Sequence, residues 1–253
     1  MRSKLFNFEY TYSGLTDVGA KRSDNQDEAV MAPDMGFFGV SDGMGGLEMG
    51  GLASSYVKEA LPALVKKGIS VFSGLSAKQV AKTLEEYVQL MSDQLFSQGN
   101  TYSYFRFGAT FVGVLLFENK ALFVNLGDSR AYLLPKYKKQ EVQITEDMNI
   151  AALLVKNGEM TKEQAAKSST SSRLTSFVGM PAPATPDSFI VDVKPGDRIL
   201  LCSDGLYGMV PEYEMVRLMR SGRSPAKVCE RLIASANRHG GRDNISAVYI
   251  LIK

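Results

Sequence analysis

Two copies of the tripeptide Ser-Asp-Gly, at Ser41-Asp42-Gly43 and Ser203-Asp204-Gly205, each follow an apolar run, Phe37–Val40 and Ile199–Cys202. An apolar run closed by a glycine turn reads as a buried strand. Each aspartate therefore stands where a rigid element can aim a carboxylate into a pocket. Asp128 occupies a like position in Gly127-Asp128-Ser129-Arg130, just after the run Leu122–Asn125, and Asp243 precedes the run Ile245–Ile252. Asp-Gly and Asp-Asn are also common turn dipeptides, so each of the four alone says little. Four at similar positions, two with near-identical flanks, point to a shared site. Close-set carboxylates repel unless a cation neutralises them. Oxygen donors of this kind suit hard divalent cations with water-rich shells.

The elements that must position these groups follow from periodicity. Residues 9–18 alternate as a strand. Ala29–Ala32 and Phe37–Ser41 form a hairpin about Pro33-Asp34-Met35-Gly36. Helical spacing runs from Glu48 to Lys67, and a capping box at Ser76-Ala77-Lys78-Gln79 opens a second helix to about Phe96. Strands are expected at Ala109–Phe117, Ala121–Asn125, Ala131–Leu134 and Glu141–Ile144. Two short helices, Ile150–Lys156 and Thr161–Lys167, precede a serine-rich run at 168–172 that is expected to be mobile. Strands Phe189–Val193 and Arg198–Ser203, helices Glu212–Arg220 and Pro225–Arg238, and the strand Ile245–Ile252 complete the chain. This order predicts an α+β fold, an α-β-β-α sandwich of two antiparallel sheets packed face to face with helix pairs outside. No linker or composition shift divides it, so residues 1–253 read as a single domain.

Composition removes other chemistries. The 253 residues are 45% hydrophobic and 22% charged, with a net charge of +2 that gives no general attraction to nucleic acid or to anionic membrane. With one histidine, His239, and two cysteines, Cys202 and Cys229, neither a zinc site nor a disulfide framework can be assembled. No Gly-x-Ser-x-Gly and no phosphate-binding Gly-x-x-x-x-Gly-Lys occurs. The N-terminus lacks the apolar core of a secretory signal, and no apolar stretch approaches the ~20 residues of a membrane helix. A cytoplasmic location is expected.

The motifs Arg22-x-x-Asn25-Gln26-Asp27, Ser41-Asp42-Gly43-Met44-Gly45-Gly46, Gly108-Ala109-Thr110, Gly127-Asp128-Ser129-Arg130, Ser203-Asp204-Gly205-Leu206 and Arg242-Asp243-Asn244-Ile245-Ser246 stand in this order. Together they resemble the PP2C (PPM) family of metal-dependent serine/threonine protein phosphatases, especially its compact bacterial members. The resemblance implies a centre of two Mn²⁺ or Mg²⁺ ions in a cleft between the sheets, with a weaker third ion. Asp42 would bridge the two ions and the Gly43 carbonyl would bind one of them. Asp204 and Asp243 would hold the other, and Asp128 would serve the third. Arg22 would take the substrate phosphate and Asp27 would act mainly through metal-bound water. The implied substrates are phosphorylated proteins, including a Ser/Thr kinase or its targets, and the implied state is a monomer without nucleic-acid or membrane partners.

The chain departs from the family at two points. Met44 stands where animal members carry a histidine, which leaves the acid for the leaving group unassigned. Glu146-Asp147-Met148-Asn149 replaces the family's Asp-His-Ser, so Asp147 takes no carried-over role. Residues 148–180 resemble the family's flap. Three other readings stay open: a catalytically weak scaffold that binds a kinase or phosphoprotein, a stress-response phosphatase acting on an anti-sigma antagonist, and a nucleotide or sugar-phosphate hydrolase. Cys202 reads as core, and His239 as an exposed loop side chain.

Overall fold

The computed structural model describes residues 3, 5–45, 49–100, 107–138, 142–165, 168–181, 183–222 and 224–253. Gly46, Glu48, Glu141, Ala166 and Lys167, which enter the motifs and elements expected above, lie outside them. The strands in chain order are β1 (Tyr10–Asp17), β2 (Asp27–Ala32), β3 (Phe37–Met44), β4 (Gly108–Ala109), β5 (Phe111–Phe117), β6 (Lys120–Leu126), β7 (Arg130–Leu134), β8 (Val142–Gln143), β9 (Asp187–Asp192), β10 (Arg198–Cys202) and β11 (Ile245–Ile252). The helices are α1 (Met49–Phe72), α2 (Ala77–Asn100), α3 (Ile150–Lys156), α4 (Lys162–Ala165), α5 (Asp204–Tyr207), α6 (Glu212–Arg220) and α7 (Pro225–Arg238).

The strands form two antiparallel sheets, one ordered β1-β11-β10-β7-β8 and the other β2-β3-β5-β6-β9, with β4 added to β3. Alternation along each strand sorts the side chains into layers. Phe38 and Val40 of β3 meet Ile199 and Leu201 of β10 and Val248 and Ile250 of β11 in the core between the sheets. Phe37 and Phe111 turn the other way onto α1 and α2. Leu200, Cys202 and Tyr249 turn onto α6 and α7. The expected α-β-β-α sandwich is thus the observed one, and Cys202 is core.

Differences are local. The helix expected to end at Lys67 runs to Phe72, and the second runs to Asn100. Its start keeps the capping box: Ser76 N donates to Gln79 Oε1 at 3.0 Å and Gln79 N to Ser76 Oγ at 3.4 Å. The strand expected over Ala109–Phe117 is broken at Thr110, whose backbone N–H leaves the β3–β5 register and donates to the Asp42 carbonyl at 2.8 Å. β3 runs on through Asp42-Gly43 to Met44, because Gly43 and Met44 find partners in Ala109 and Gly108. The serine-rich run forms a 3-10 turn at Ser169–Ser172, with the Ser168 hydroxyl accepting from Thr170 N. His239 is exposed in the turn that follows α7, as expected, and its Nε2 lies 3.1 Å from Glu214 Oε2.

Candidate active site

β2 and β3 pair with Asp27 directly opposite Asp42. Period-two alternation puts Asp42 on the same face as Phe38 and Val40, and Asp27 on the face of Ala29 and Met31. Both carboxylates therefore close the end of the apolar layer between the sheets. The opposite sheet contributes at the same end. β10 finishes at Cys202, and Ser203 leads into α5, whose first residue is Asp204. The Ser203 hydroxyl accepts from Ser246 N at 3.0 Å within its own sheet and donates to Asp27 Oδ2 at 2.7 Å across to the other. One buried serine thus ties the two halves of the sandwich together beneath the carboxylates.

Asp243 lies in the turn before β11, where its Oδ2 accepts from Arg22 Nη2 at 2.8 Å and its Oδ1 from Asn244 N at 2.9 Å. Asp128 is buried after β6, and its carbonyl accepts from the Tyr207 hydroxyl at 2.9 Å. Asp42 responds to all of these charges: burial first, and then Asp27, Asp204, Asp128 and Asp243, push its pKa well above the usual carboxylate range. Burial likewise lifts Asp27 to about 6, against the Ser203 hydrogen bond. Burial and Asp243 lift Asp204 to about 6. Burial, Asp204 and Asp147 lift Asp128 to about 7. All five carboxylates belong to one electrostatic unit that protein groups leave under-neutralised.

Gly43 shows why no side chain stands there. A Cβ would sit 2.1 Å from the Gly50 carbonyl oxygen, so the backbone is left bare beside Asp42. Whether the set suits a cation can be read from its oxygens. Asp27 Oδ1 and Asp204 Oδ1 are both buried without a hydrogen-bond partner among the described residues. A buried, unpartnered carboxylate oxygen is costly, and a cation relieves that cost. Among the described residues no three carboxylates close on one point as an all-protein cage would. Mg²⁺-like ions keep several waters and take only one or two carboxylates, so paired aspartates around a wet cleft fit them.

Residues that stand in or beside the motifs without an assigned role hold this arrangement. The Thr110 hydroxyl accepts from Asp42 N at 3.2 Å, and the Ser41 hydroxyl donates to the Thr110 carbonyl at 2.8 Å. Arg130 makes two hydrogen bonds to Asp147, at 2.8 and 2.6 Å, and its guanidinium lies 3.7 Å from the centre of the Tyr207 ring. The base of the 148–180 segment is stitched to the cleft: Met148 N donates to the Gly127 carbonyl at 3.0 Å, and Ala109 and Val178 exchange backbone hydrogen bonds at 3.1 and 2.8 Å. The doubled serine before each Asp-Gly was the one sequence signal for the serines.

Comparison with known proteins agrees with this geometry. The family model described as Protein phosphatase 2C matches residues 18–236. The serine/threonine phosphatase stp of Listeria monocytogenes serotype 4b is 30% identical over 239 residues, covering 93% of this chain and 93% of the relative. The serine/threonine phosphatase Stp1 from Staphylococcus aureus has a similar structure, with a TM-score of 0.86 at 26% identity over 100% of this chain and 99% of that one. The catalytic domain of the serine threonine protein phosphatase PstP, solved in complex with two manganese ions, gives a TM-score of 0.82 at 27% identity, over 96% of this chain and 98% of that one.

Proposed function

The chain belongs to the protein phosphatase 2C family, and on that premise we propose that Asp42, Gly43, Asp204 and Asp243 hold two divalent cations in the cleft while Arg22 takes the substrate phosphate. The protein is a metal-dependent serine/threonine protein phosphatase, a phosphoric monoester hydrolase acting on phosphorylated proteins. Among its described residues no helix is long and apolar enough to cross a membrane. The finer reading is ours: two Mn²⁺ or Mg²⁺ ions with a weaker third at Asp128, and a kinase or its targets among the substrates. We read residues 1–253 as a single monomeric, cytoplasmic domain with 148–180 as its flap, and without nucleic-acid or membrane partners. The pair of buried, unpartnered oxygens on Asp27 and Asp204 carries the metal assignment.

When bound, such cations supply Lewis acidity, neutralising phosphoryl charge and acidifying water near neutral pH. The chain's own groups do the rest. Arg22 is exposed, and Asp243 engages its Nη2. A guanidinium has five N–H donors in a planar fork, so donors remain for two phosphoryl oxygens. Its charge serves the equatorial oxygens as they gain charge in the transition state. Asp27 is fixed by Ser203 through Oδ2, which leaves Oδ1 to accept a proton or orient a water molecule. Gly43 lets the β3 backbone pack directly against Gly50 at the start of α1 and the Gln26 carbonyl, which fixes its own carbonyl beside Asp42.

The test is p-nitrophenyl phosphate hydrolysis with Mn²⁺, with EDTA, and with Asp204→Asn, alongside calorimetric Mn²⁺ titration. Metal-dependent turnover that falls by about 100-fold or more in Asp204→Asn, together with weakened Mn²⁺ binding, is expected. Wild-type turnover that persists in EDTA would overturn the metal reading.

A further inference from the structure

The segment between β1 and β2, residues 18–26, has no helix or strand of its own, yet it carries Arg22. A planar cation can help a transition state only if its position is fixed beforehand. Arg22 is a little over half exposed, and Asp243 is its one hydrogen-bond partner among the described residues. Its placement must come from whatever orders the backbone on either side of it.

Gly19 N donates to Asp17 Oδ1 at 2.8 Å, Ala20 N to the Gly241 carbonyl at 2.8 Å and Asn25 Nδ2 to Thr16 Oγ1 at 3.0 Å, but one side chain spans both flanks of Arg22. Asn244 is 6% exposed, and its side-chain amide spends its oxygen and both N–H groups on this segment. Its Oδ1 accepts from Gln26 N at 2.9 Å. Its Nδ2 donates to the Val18 carbonyl at 2.9 Å and to the Asp24 carbonyl at 2.8 Å. The partners fix the amide's orientation, because an N–H needs the oxygen and two carbonyls need the nitrogen. Gln26 extends the clamp, since its carbonyl accepts from Gly43 N at 3.0 Å and from the Ser54 hydroxyl at 2.6 Å. One neutral amide therefore anchors the segment before and after Arg22, and ties it to the backbone beside Asp42. No aspartate could substitute, because a carboxylate cannot donate to Val18 and Asp24.

We infer that Asn244 is a positioning residue: it pins the 18–26 segment so that Arg22 is preset for the phosphate of the substrate. The inference rests on the reading of Arg22 as the phosphate ligand, and its consequence separates it from a general structural role. Loss of the clamp leaves the cations' carboxylates in place while releasing the arginine. Binding of the phosphoryl group then suffers more than the chemistry that follows.

The experiment compares Asn244→Ala, Arg22→Ala and the double variant as Mn²⁺-loaded proteins. It reads KM and kcat on a phosphothreonine peptide, Mn²⁺ affinity by calorimetry, and amide exchange of peptides covering 18–26. Asn244→Ala is expected to raise KM about tenfold, the effect of one or two lost hydrogen bonds, with a smaller change in kcat. Mn²⁺ affinity stays within about twofold and exchange across 18–26 speeds at least about tenfold. The double variant should match Arg22→Ala alone, because the two substitutions disable one device. If Arg22→Ala raises KM while Asn244→Ala changes neither KM nor exchange, or if the two effects multiply, the inference is overturned. If Arg22→Ala leaves KM unchanged while Asn244→Ala still speeds exchange, the clamp is supported and the phosphate reading of Arg22 is what fails. Should Asn244→Ala not fold, Asn244→Ser retains one hydroxyl and should give a smaller KM rise in the same direction, and a silent, well-folded Asn244→Ser would equally overturn the inference.

Discussion

At Asp27 the loss of solvent outweighs the Ser203 hydrogen bond, so this carboxyl stays protonated up to about pH 6, and Asp128 up to about pH 7. Asp204, assigned to the two main cations, is lifted in the same way to about 6, so a cation must displace its proton in order to bind. Mn²⁺ affinity should therefore fall as pH drops, because the protonated form dominates below each raised pKa. Calorimetric titration at pH 7.5 and 5.5 should show at least about tenfold weaker binding at the lower pH. An affinity flat across that range would mean that the carboxylates titrate in the usual range and the burial argument is wrong. The residues that do this work were unevenly legible. Asp42 and Asp204 are legible as a pair, since two apolar runs ending in the same Ser-Asp-Gly are harder to read as chance turns than either one alone. Asn244 does not, because an asparagine beside a glycine turn looks like any turn residue until Val18, Asp24 and Gln26 are brought to it across more than two hundred positions of sequence. Ser203 is hidden for the same reason, as its partner Asp27 lies in the other sheet.

At the scale of elements, the glycine after Asp42 misleads. Gly43 weakens a strand by propensity, which suggests a stop at Ser41. The pairing of Met44 and Gly43 with Gly108 and Ala109 carries β3 three residues further. Tertiary pairing decided that boundary, and local propensity could not. The same holds for the loop after β8. The sequence assigns Asp147 no role, yet it neutralises Arg130, which in turn packs on Tyr207, whose hydroxyl holds the Asp128 carbonyl. The Arg130 side chain is 25% exposed and that of Asp147 11%. Removing one partner of a fully buried pair costs about 3–5 kcal/mol, and partial exposure of the guanidinium reduces this to about 2 kcal/mol. Asp147→Asn should lose that much in urea unfolding, and Mn²⁺ binding at the strong sites should persist. A stability loss under about 0.5 kcal/mol would show that solvent already screens the pair.

Across the whole molecule, the two sheets are glued by one apolar layer along most of their length and bring mutually repelling aspartates from both together at one end. The folded state raises these carboxyl pKa values above those of the unfolded chain. Their contribution is then fully present below the unfolded value, near pH 4, and is lost as pH rises through the folded values of about 6 and 7. Asp27 alone, raised from 3.8 to about 6, corresponds to about 3 kcal/mol. Metal-free protein should therefore melt lower at pH 8 than at pH 5.5, and Mn²⁺ should restore most at pH 8. For a chain of this length each kcal/mol moves Tm by about 2–4 °C, so the gap between the Mn²⁺ and EDTA curves should widen by about 5–10 °C over that range. His239, paired with Glu214, is common to both curves and cancels in the difference. Asp204→Asn supplies the converse: it removes one buried charge without changing shape, so in EDTA at pH 8 it should melt above the wild type while binding Mn²⁺ poorly. A mutant that melts below wild type in EDTA would mean that Asp204 is held by the protein's own dipoles, and that the cleft carries no stored repulsion for a cation to relieve.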